Sequence, residues 1–286
     1  MKKAGIILLA ATFCMGLQSR AEDLKLWYKS PAKMWEEALP LGNSRLGAMV
    51  YGTPQREEIQ LNEETIWGGG PYRNDNPKAL EALPKVRQLI FEGKSREADQ
   101  LLNPTFFSKA HGMPYQTAGS LTLSFPGHES FQEYYRELDL NRAVATTRYK
   151  VDGVEYTRES FVSFSDDVVV MRISAAEKGK LSFTATYANR AKHTRFKKGN
   201  SLIIEGHGSD HEGIPGVIRY QIHTQVKNDG GKVTLSDSTL SVANANSVIL
   251  YISIGTNFTN YLVTQDDPAK KAAAKLAAAI KKEYAP

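Results

Sequence analysis

The chain has 286 residues, of which 41% are hydrophobic and 23% charged, with a formal net charge of +5. That composition supports a packed core and excludes wholesale disorder, and the length suits one large β domain or two modest domains. With residues 1–21 removed as read below, 33 basic residues face 31 acidic ones, a near-balance that excludes nucleic acid as an expected partner.

The N-terminus reads as an export signal. Lys2 and Lys3 precede an apolar run, AGIILLAATFCMGL at 4–17, and Ser19-Arg20-Ala21 offers small residues for cleavage after Ala21. The expected mature protein is periplasmic or extracellular. Fourteen apolar residues fall short of the ~20 that cross a bilayer, so no membrane span is expected. Cys14 leaves with the signal, so disulfide and thiol chemistry are not expected, and bulky Phe13 before it argues against lipidation.

Residues 24–28 (LKLWY), 46–52 (LGAMVYG) and 57–61 (EEIQL) read as strands, separated by turn glycines. Residues 77–103 change period: Leu80, Leu83, Val86, Leu89 and Ile90, then Ala98, Leu101 and Leu102, follow helical spacing. Pro84 and Gly93 are expected to divide this segment into short helices. From about 119 to 262, short Val-, Ile-, Thr-, Tyr- and Phe-rich runs alternate with Asp152-Gly153, Lys178-Gly179, Gly199-Asn200 and Asp229-Gly230-Gly231 turns. The expected class is mostly β, a large antiparallel β-sandwich with a short helical excursion. Asp267 and Pro268 then open a final helix with Ala269, Ala272, Ala273, Leu276 and Ile280 on one face.

LNEETIWGGGPYRND at 61–75 assembles the residue types of a sugar site. Glu63 and Glu64 are adjacent, however, and on a strand they point to opposite faces. A glycosidase needs two converging carboxylates roughly 5–9.5 Å apart. Glu57 and Glu58 lie up to ~20 Å away along an extended strand, and Asp75 could return only through the glycine loop. These acids therefore read as surface or hydrogen-bonded groups. Trp67 beside Gly68–Gly70 reads equally as a sugar-stacking platform and as a core tryptophan beside a tight turn. Asn43, Ser44 and Arg45 sit on a turn suited to hydroxyl or carboxylate recognition or to a hairpin corner. His111, Tyr115 and Gln116 form another polar loop. His207, Asp210 and His211 lie in a glycine-rich β context that defeats the helical spacing a zinc pair would use, so no metal is expected. Phosphate-loop and nucleophile-elbow motifs are absent, and no cofactor is expected.

Five segments, in order, resemble one family: WEEALPLGNSRLGAMVYG, EEIQLNEETIWGGGPYRND, NPKALEALPKVRQLIFEGKSREA, YRELDLNRAVATTRYKVDGVEYTRESFVSFSDDVVVMRI and GGKVTLSDSTLSVANANSVILYISIGTNF. The chain over about 24–262 resembles the N-terminal domain of glycoside hydrolase family 95, the inverting 1,2-α-L-fucosidases and some α-L-galactosidases. The family's usual GNGR turn here reads GNSR, with Ser44 in place of a glycine.

The resemblance implies a signal peptide (1–21), a β-sandwich (22–262) and the start of a helical linker (263–286) into an (α/α)-barrel that carries the catalytic acid and base. It implies that this chain alone is inactive. Its partners would be a fucosylated oligosaccharide or a plant or host glycan, and that barrel, with Asn43, Arg45, Asn62, Glu63, Trp67, Tyr72, Arg73, His111, Tyr115 and Gln116 as substrate-cleft or barrel-interface candidates. The competing reading is a free-standing carbohydrate-binding module, with Trp67, Tyr72, Arg73 and Gln116 as binders, or an interaction domain.

Overall fold

Turn chemistry and alternation set the architecture. In a computed structural model that describes residues 24–108, 110 and 112–284, the first four strands are β1 (Lys25–Tyr28), β2 (Leu39–Gly42), β3 (Leu46–Val50) and β4 (Arg56–Glu63). A helical hairpin follows, α1 (Ala79–Phe91) and α2 (Ser95–Phe106). The β-rich remainder comprises β5 (Gly119–Ser124), β6 (Gln132–Asp139), β7 (Val144–Val151), β8 (Val154–Ser163), β9 (Val168–Ala175), β10 (Leu181–Ala188), β11 (His193–Lys198) and β12 (Ser201–His207). It ends with β13 (Arg219–Asp229), β14 (Lys232–Leu235), β15 (Thr239–Ala245), β16 (Ser247–Thr256) and α3 (Pro268–Ala279). The export-signal reading, Cys14 and His111 lie outside the described residues.

The strands form two antiparallel sheets. One has nine strands in the order β1-β6-β7-β8-β9-β16-β13-β12-β11, the other seven in the order β14-β15-β10-β5-β4-β3-β2. This is the expected β-sandwich. Asp152 and Gly153, at φ 50° and 81°, link paired Val151 and Val154 in a two-residue turn, the geometry whose twist suits a hairpin.

β4 shows why the sheets face each other: alternate residues Glu57, Ile59, Leu61 and Glu63 are buried. Ile59 and Leu61 join Leu121, Leu123 and Phe183 against Met171, Ile173, Leu250, Ile252, Ile204 and Ile222 of the other sheet. β16 is buried on both faces because α3 covers its outer side. There Leu276 and Ala279 pack on Val168, Val170 and Tyr251, and burying Leu276 stabilises this contact by about 2 kcal/mol. Asp267 caps the helix, accepting from Ala269 N and Lys270 N at 2.9 and 3.1 Å. Gly255 permits the close approach, since a Cβ there would lie 2.3 Å from Pro268 O.

Some local readings need revision. Pro84 does not divide the helical segment but lies inside α1; Gly93, at φ 73°, makes the break. The carbonyl that Pro84 leaves unpaired belongs to Leu80, an 81% exposed residue at the helix start. Ala273 faces solvent, and Ala279 takes the place assigned to it on the packed face of α3.

Candidate functional site at the loop-rich end

The turn between β2 and β3 is built by Asn43. Its side-chain oxygen accepts from Arg45 N at 3.1 Å and Leu46 N at 2.7 Å, an Asx-type arrangement. Its amide nitrogen reaches across to the other sheet, donating to Ser163 O at 3.0 Å and Asp167 Oδ1 at 3.1 Å. Ser44 sits at φ 78°, in the left-handed region that favours glycine.

Arg45 continues the crossing. Nη1 donates to Asp167 Oδ2 at 2.6 Å, and Nη2 donates to Ile254 O at 2.6 Å and lies 3.2 Å from Glu63 Oε1. Glu63, 1% exposed, also accepts from Thr65 N and Thr65 Oγ1 at 2.8 and 2.7 Å. Thr65 Oγ1 meets Thr256 Oγ1 at 2.7 Å. Lys275 of α3 pairs with Asp167. Asn43, Arg45 and Glu63 therefore belong to a clamp that joins both sheets and α3.

The electrostatics follow burial. Desolvation raises the Glu63 carboxyl, and Thr65 and Arg45 offset this only in part. Burial also pushes Asp167 up, but Lys275, Asn43 and Arg45 outweigh it, and its carboxyl is held below the ordinary range.

The glycine stretch beyond Glu63 is a seam between loops. Gly68 N donates to Pro114 O at 2.9 Å, Gly69 N to Ser209 O at 2.7 Å, and Val217 N to Gly69 O at 3.1 Å. Gly69 stands at φ 61° with Met113 Sδ 2.1 Å from where a Cβ would be, so a side chain has no room. Trp67 is 42% exposed. Its indole N–H is satisfied by Glu64 O at 2.8 Å, and its ring meets Tyr115 edge-on at 5.3 Å. Gln116 bonds the Ser209 hydroxyl and accepts from Ser209 N at 3.1 Å. The structure thus brings Trp67, Tyr115 and Gln116 together with the 208–217 loop. It leaves Arg73 on the outside, paired to Asp75, with Tyr72 beside it. Asn62 flanks Glu63 on β4, and its side-chain oxygen is buried without a hydrogen-bond partner.

Two cavities flank the 207–218 loop. A smaller one, about 210 Å³, is mainly apolar and lined by Trp67, Pro71, Met113, Val217, Phe258 and Tyr261. A larger one, about 810 Å³, is lined mostly by polar and charged residues and lies against the outer face of β12 and β13, with Glu205, His207, Asp210, Arg219 and Gln221 on its walls. Sequence reasoning assigned no role to Glu205, Arg219 or Gln221; the period-2 alternation of β12 and β13 was the available signal. Asp210 accepts from Gly216 N at 2.8 Å, and His211 closes a bridge with Ile214. Among the described residues, no cluster of three His, Cys, Asp or Glu side chains could hold a metal, and no helix is long and apolar enough to cross a membrane. Asn257, in a glycosylation-type sequence, is 1% exposed and ties Val217 O and Thr264 O, so its amide is spent on the fold.

The comparisons agree with this architecture. The model of the glycosyl hydrolase family 65 N-terminal domain matches residues 26–261. Alpha-L-fucosidase 2 of Arabidopsis thaliana is 31% identical over 93% of this chain and 35% of its own length. Probable alpha-fucosidase A of Aspergillus oryzae is 27% identical over 90% of this chain and 38% of its own. The chain therefore spans little more than a third of these relatives. The solved structure named "Putative kojibiose phosphorylase from human microbiome" superposes with a TM-score of 0.50 at 10% identity, covering 91% of this chain and 36% of that one, a likeness of fold alone. The chain belongs to the glycosyl hydrolase family 65 N-terminal-domain family, with α-L-fucosidases among its homologues.

Proposed function

We propose that this chain is the β-sandwich domain of an exported 1,2-α-L-fucosidase of the family 95 type. It supports, rather than performs, the inverting hydrolysis of terminal α-L-fucosyl linkages. The carrying observation is the state of Glu63. The carboxylate best placed in the 61–75 stretch is 1% exposed and engaged by Arg45 and Thr65. A general acid or base must reach the substrate, and Glu63 reaches only its own fold. Acid and base are assigned to the barrel domain of the whole protein.

In this reading the apolar cavity, with Trp67, Phe258 and Tyr261 on its walls and exposed Leu262 nearby in sequence, meets that barrel. A sugar's hydroxyls need donors and acceptors, and among the cavity's lining side chains only Thr65, Tyr261 and Thr264 carry hydroxyls, against a mainly apolar surface. The Trp67 ring beside it is an apolar face held by its own internal hydrogen bond. Asn43, Arg45 and Glu63 act beneath this surface by fixing the loops.

The test is the release of fucose from a 2′-fucosylated oligosaccharide by this chain, assayed beside the Arabidopsis relative. No turnover by this chain is expected; turnover at a comparable rate overturns the reading. In a protein carrying the barrel as well, the first-formed product should be β-fucose by NMR, and first-formed α-fucose excludes inversion. Export predicts a mature N-terminus at Glu22; a retained Met1 contradicts it.

A further inference from the structure

The polar cleft lies on the outer face of the nine-stranded sheet. Three direct pairings build its floor: Thr194 stands opposite Glu205, Glu205 opposite Gln221, and His207 opposite Arg219. Residues directly opposite in an antiparallel ladder share a face. The intervening residues Ile204, Tyr220 and Ile222 point into the core, so this set faces out. The far wall is the start of α3. Gly255 is paired to Gln221 and has no side chain to keep the helix away, so Asp267 and Pro268 stand beside the floor.

The floor is organised from below. His223, 5% exposed, donates from Nε2 to Gln221 Oε1 at 2.9 Å. Gln221, 8% exposed, donates in turn from Nε2 to Glu205 Oε2 at 2.5 Å. Burying two polar side chains costs stability unless both are satisfied. Here the satisfied pair ends on an exposed carboxylate and holds it in one orientation. His207 Nδ1 donates to Gly208 O at 2.8 Å, which leaves Nε2 as the acceptor of that ring.

The ligand class follows from charge and size. Lys192 and Arg219 face Glu205, Asp210 and Asp267 around the same space. An anion would meet three carboxylates, and a cation would meet two basic groups. A neutral polyol uses both sets, because each hydroxyl donates to a carboxylate and accepts from a guanidinium or ammonium. A volume of about 810 Å³ lies within the ~300–1,000 Å³ of small-molecule sites. We propose that this cleft is a glycan subsite, which takes a neutral oligosaccharide chain through Glu205 and Arg219, with Gln221 as a positioning residue. The inference rests on reading the domain as part of a glycan-processing enzyme.

The test is calorimetric titration of the purified chain with 2′-fucosyllactose and maltotetraose as neutral probes and 3′-sialyllactose as an anionic one. At least one neutral probe should bind saturably. Glu205→Ala and Arg219→Ala should each weaken it at least tenfold, while Trp67→Ala leaves it unchanged. Both altered residues are exposed, and unchanged circular dichroism and melting temperature show that the variants fold. Failure of both neutral probes to bind, equal binding by wild type and both variants, or preference for the sialylated probe overturns the subsite. Fucose release by the whole protein is measured separately. Release without cleft binding removes only the subsite; cleft binding without release removes only the fucosidase reading.

Discussion

The two ends of β4 bury the same residue type in opposite settings. At one end Glu57, 0% exposed, accepts from Gly52 N at 2.7 Å and from Arg158 Nη1 at 2.9 Å. Arg158 also donates to Thr53 O, Pro54 O and Tyr149 OH, and its guanidinium lies 4.1 Å from the Phe125 ring centre. At the other end Glu63 is equally buried, but its partner Arg45 is 21% exposed and leads through Asp167 to Lys275 of α3. The first pair is sealed among aromatic rings. The second is a clamp beneath the cleft-forming loops. A buried acid–arginine pair therefore does not by itself mark a functional site; what the pair holds in place does.

The largest effect should come from the sealed end. Arg158→Met leaves Glu57 buried without its counter-charge and should cost about 3–5 kcal/mol, read as a lower denaturation midpoint in urea. A loss under about 1 kcal/mol would show that this pair adds nothing beyond packing.

Acid should strike through two buried histidines, His128 at the sealed end, where its Nδ1 meets Tyr149 OH at 3.0 Å, and His223 beneath the polar cleft. Burial holds His128 down to about 4, with Arg158 adding to the effect, and holds His223 down to about 4, with Lys198 adding. A depressed pKa means the folded state resists the proton that the unfolded chain accepts. Stability from each group is therefore complete above pH 6.5 and is lost as pH falls toward 4, by up to about 3 kcal/mol each. His128→Phe should remove the sealed-end share of that slope and His223→Gln the cleft share. An unchanged slope in both variants would assign acid sensitivity to the carboxylates.

Arg45→Ala should cost about 2 kcal/mol, less than Arg158→Met, because solvent reaches the clamp and can replace part of the lost hydrogen bonding. A larger loss than at Arg158 would invert the comparison. Ser44→Gly should have the smallest effect, a gain of about 0.5–1 kcal/mol from relieving the positive φ, partly offset by glycine's greater unfolded freedom. A loss would mean that the serine hydroxyl makes a contact worth more than the strain.

Much of this was legible in the sequence. Asp152-Gly153, the alternation of EEIQL and the Asp267-Pro268 start each act through neighbours in the chain, and each gave its element. Glu63 and Glu64, adjacent in the chain, point to opposite faces of a strand by local geometry alone, and Glu63 is buried while Glu64 is exposed. What stayed hidden depends on distant partners. QEYYRELD and HTRFKK carry too many charged residues to read as strands, yet both pair: β6 buries only Arg136 and Leu138, and β11 is an edge strand with no buried residue. Arg45 looked like a ligand-binding fork, but its acceptors Asp167 and Ile254 lie more than 120 residues away. The polar cleft needed the register of β12 against β13 and the placement of Gly255 beneath the start of α3, neither of which a linear reading supplies.

The order of strands also bears on how the chain folds. β6, β7, β8 and β9 are consecutive in sequence and adjacent in the nine-stranded sheet, joined in part by the Asp152-Gly153 turn. The seven-stranded sheet instead joins β5 to β10, pairing Ser124 with Thr184 across an intervening stretch that contains this whole meander. Closing short loops costs less chain entropy than closing long ones, and local contacts form faster. The meander can thus assemble before the second sheet has a complete partner, and its early hydrogen-exchange protection would make residues 132–175 the template on which the remaining strands are laid.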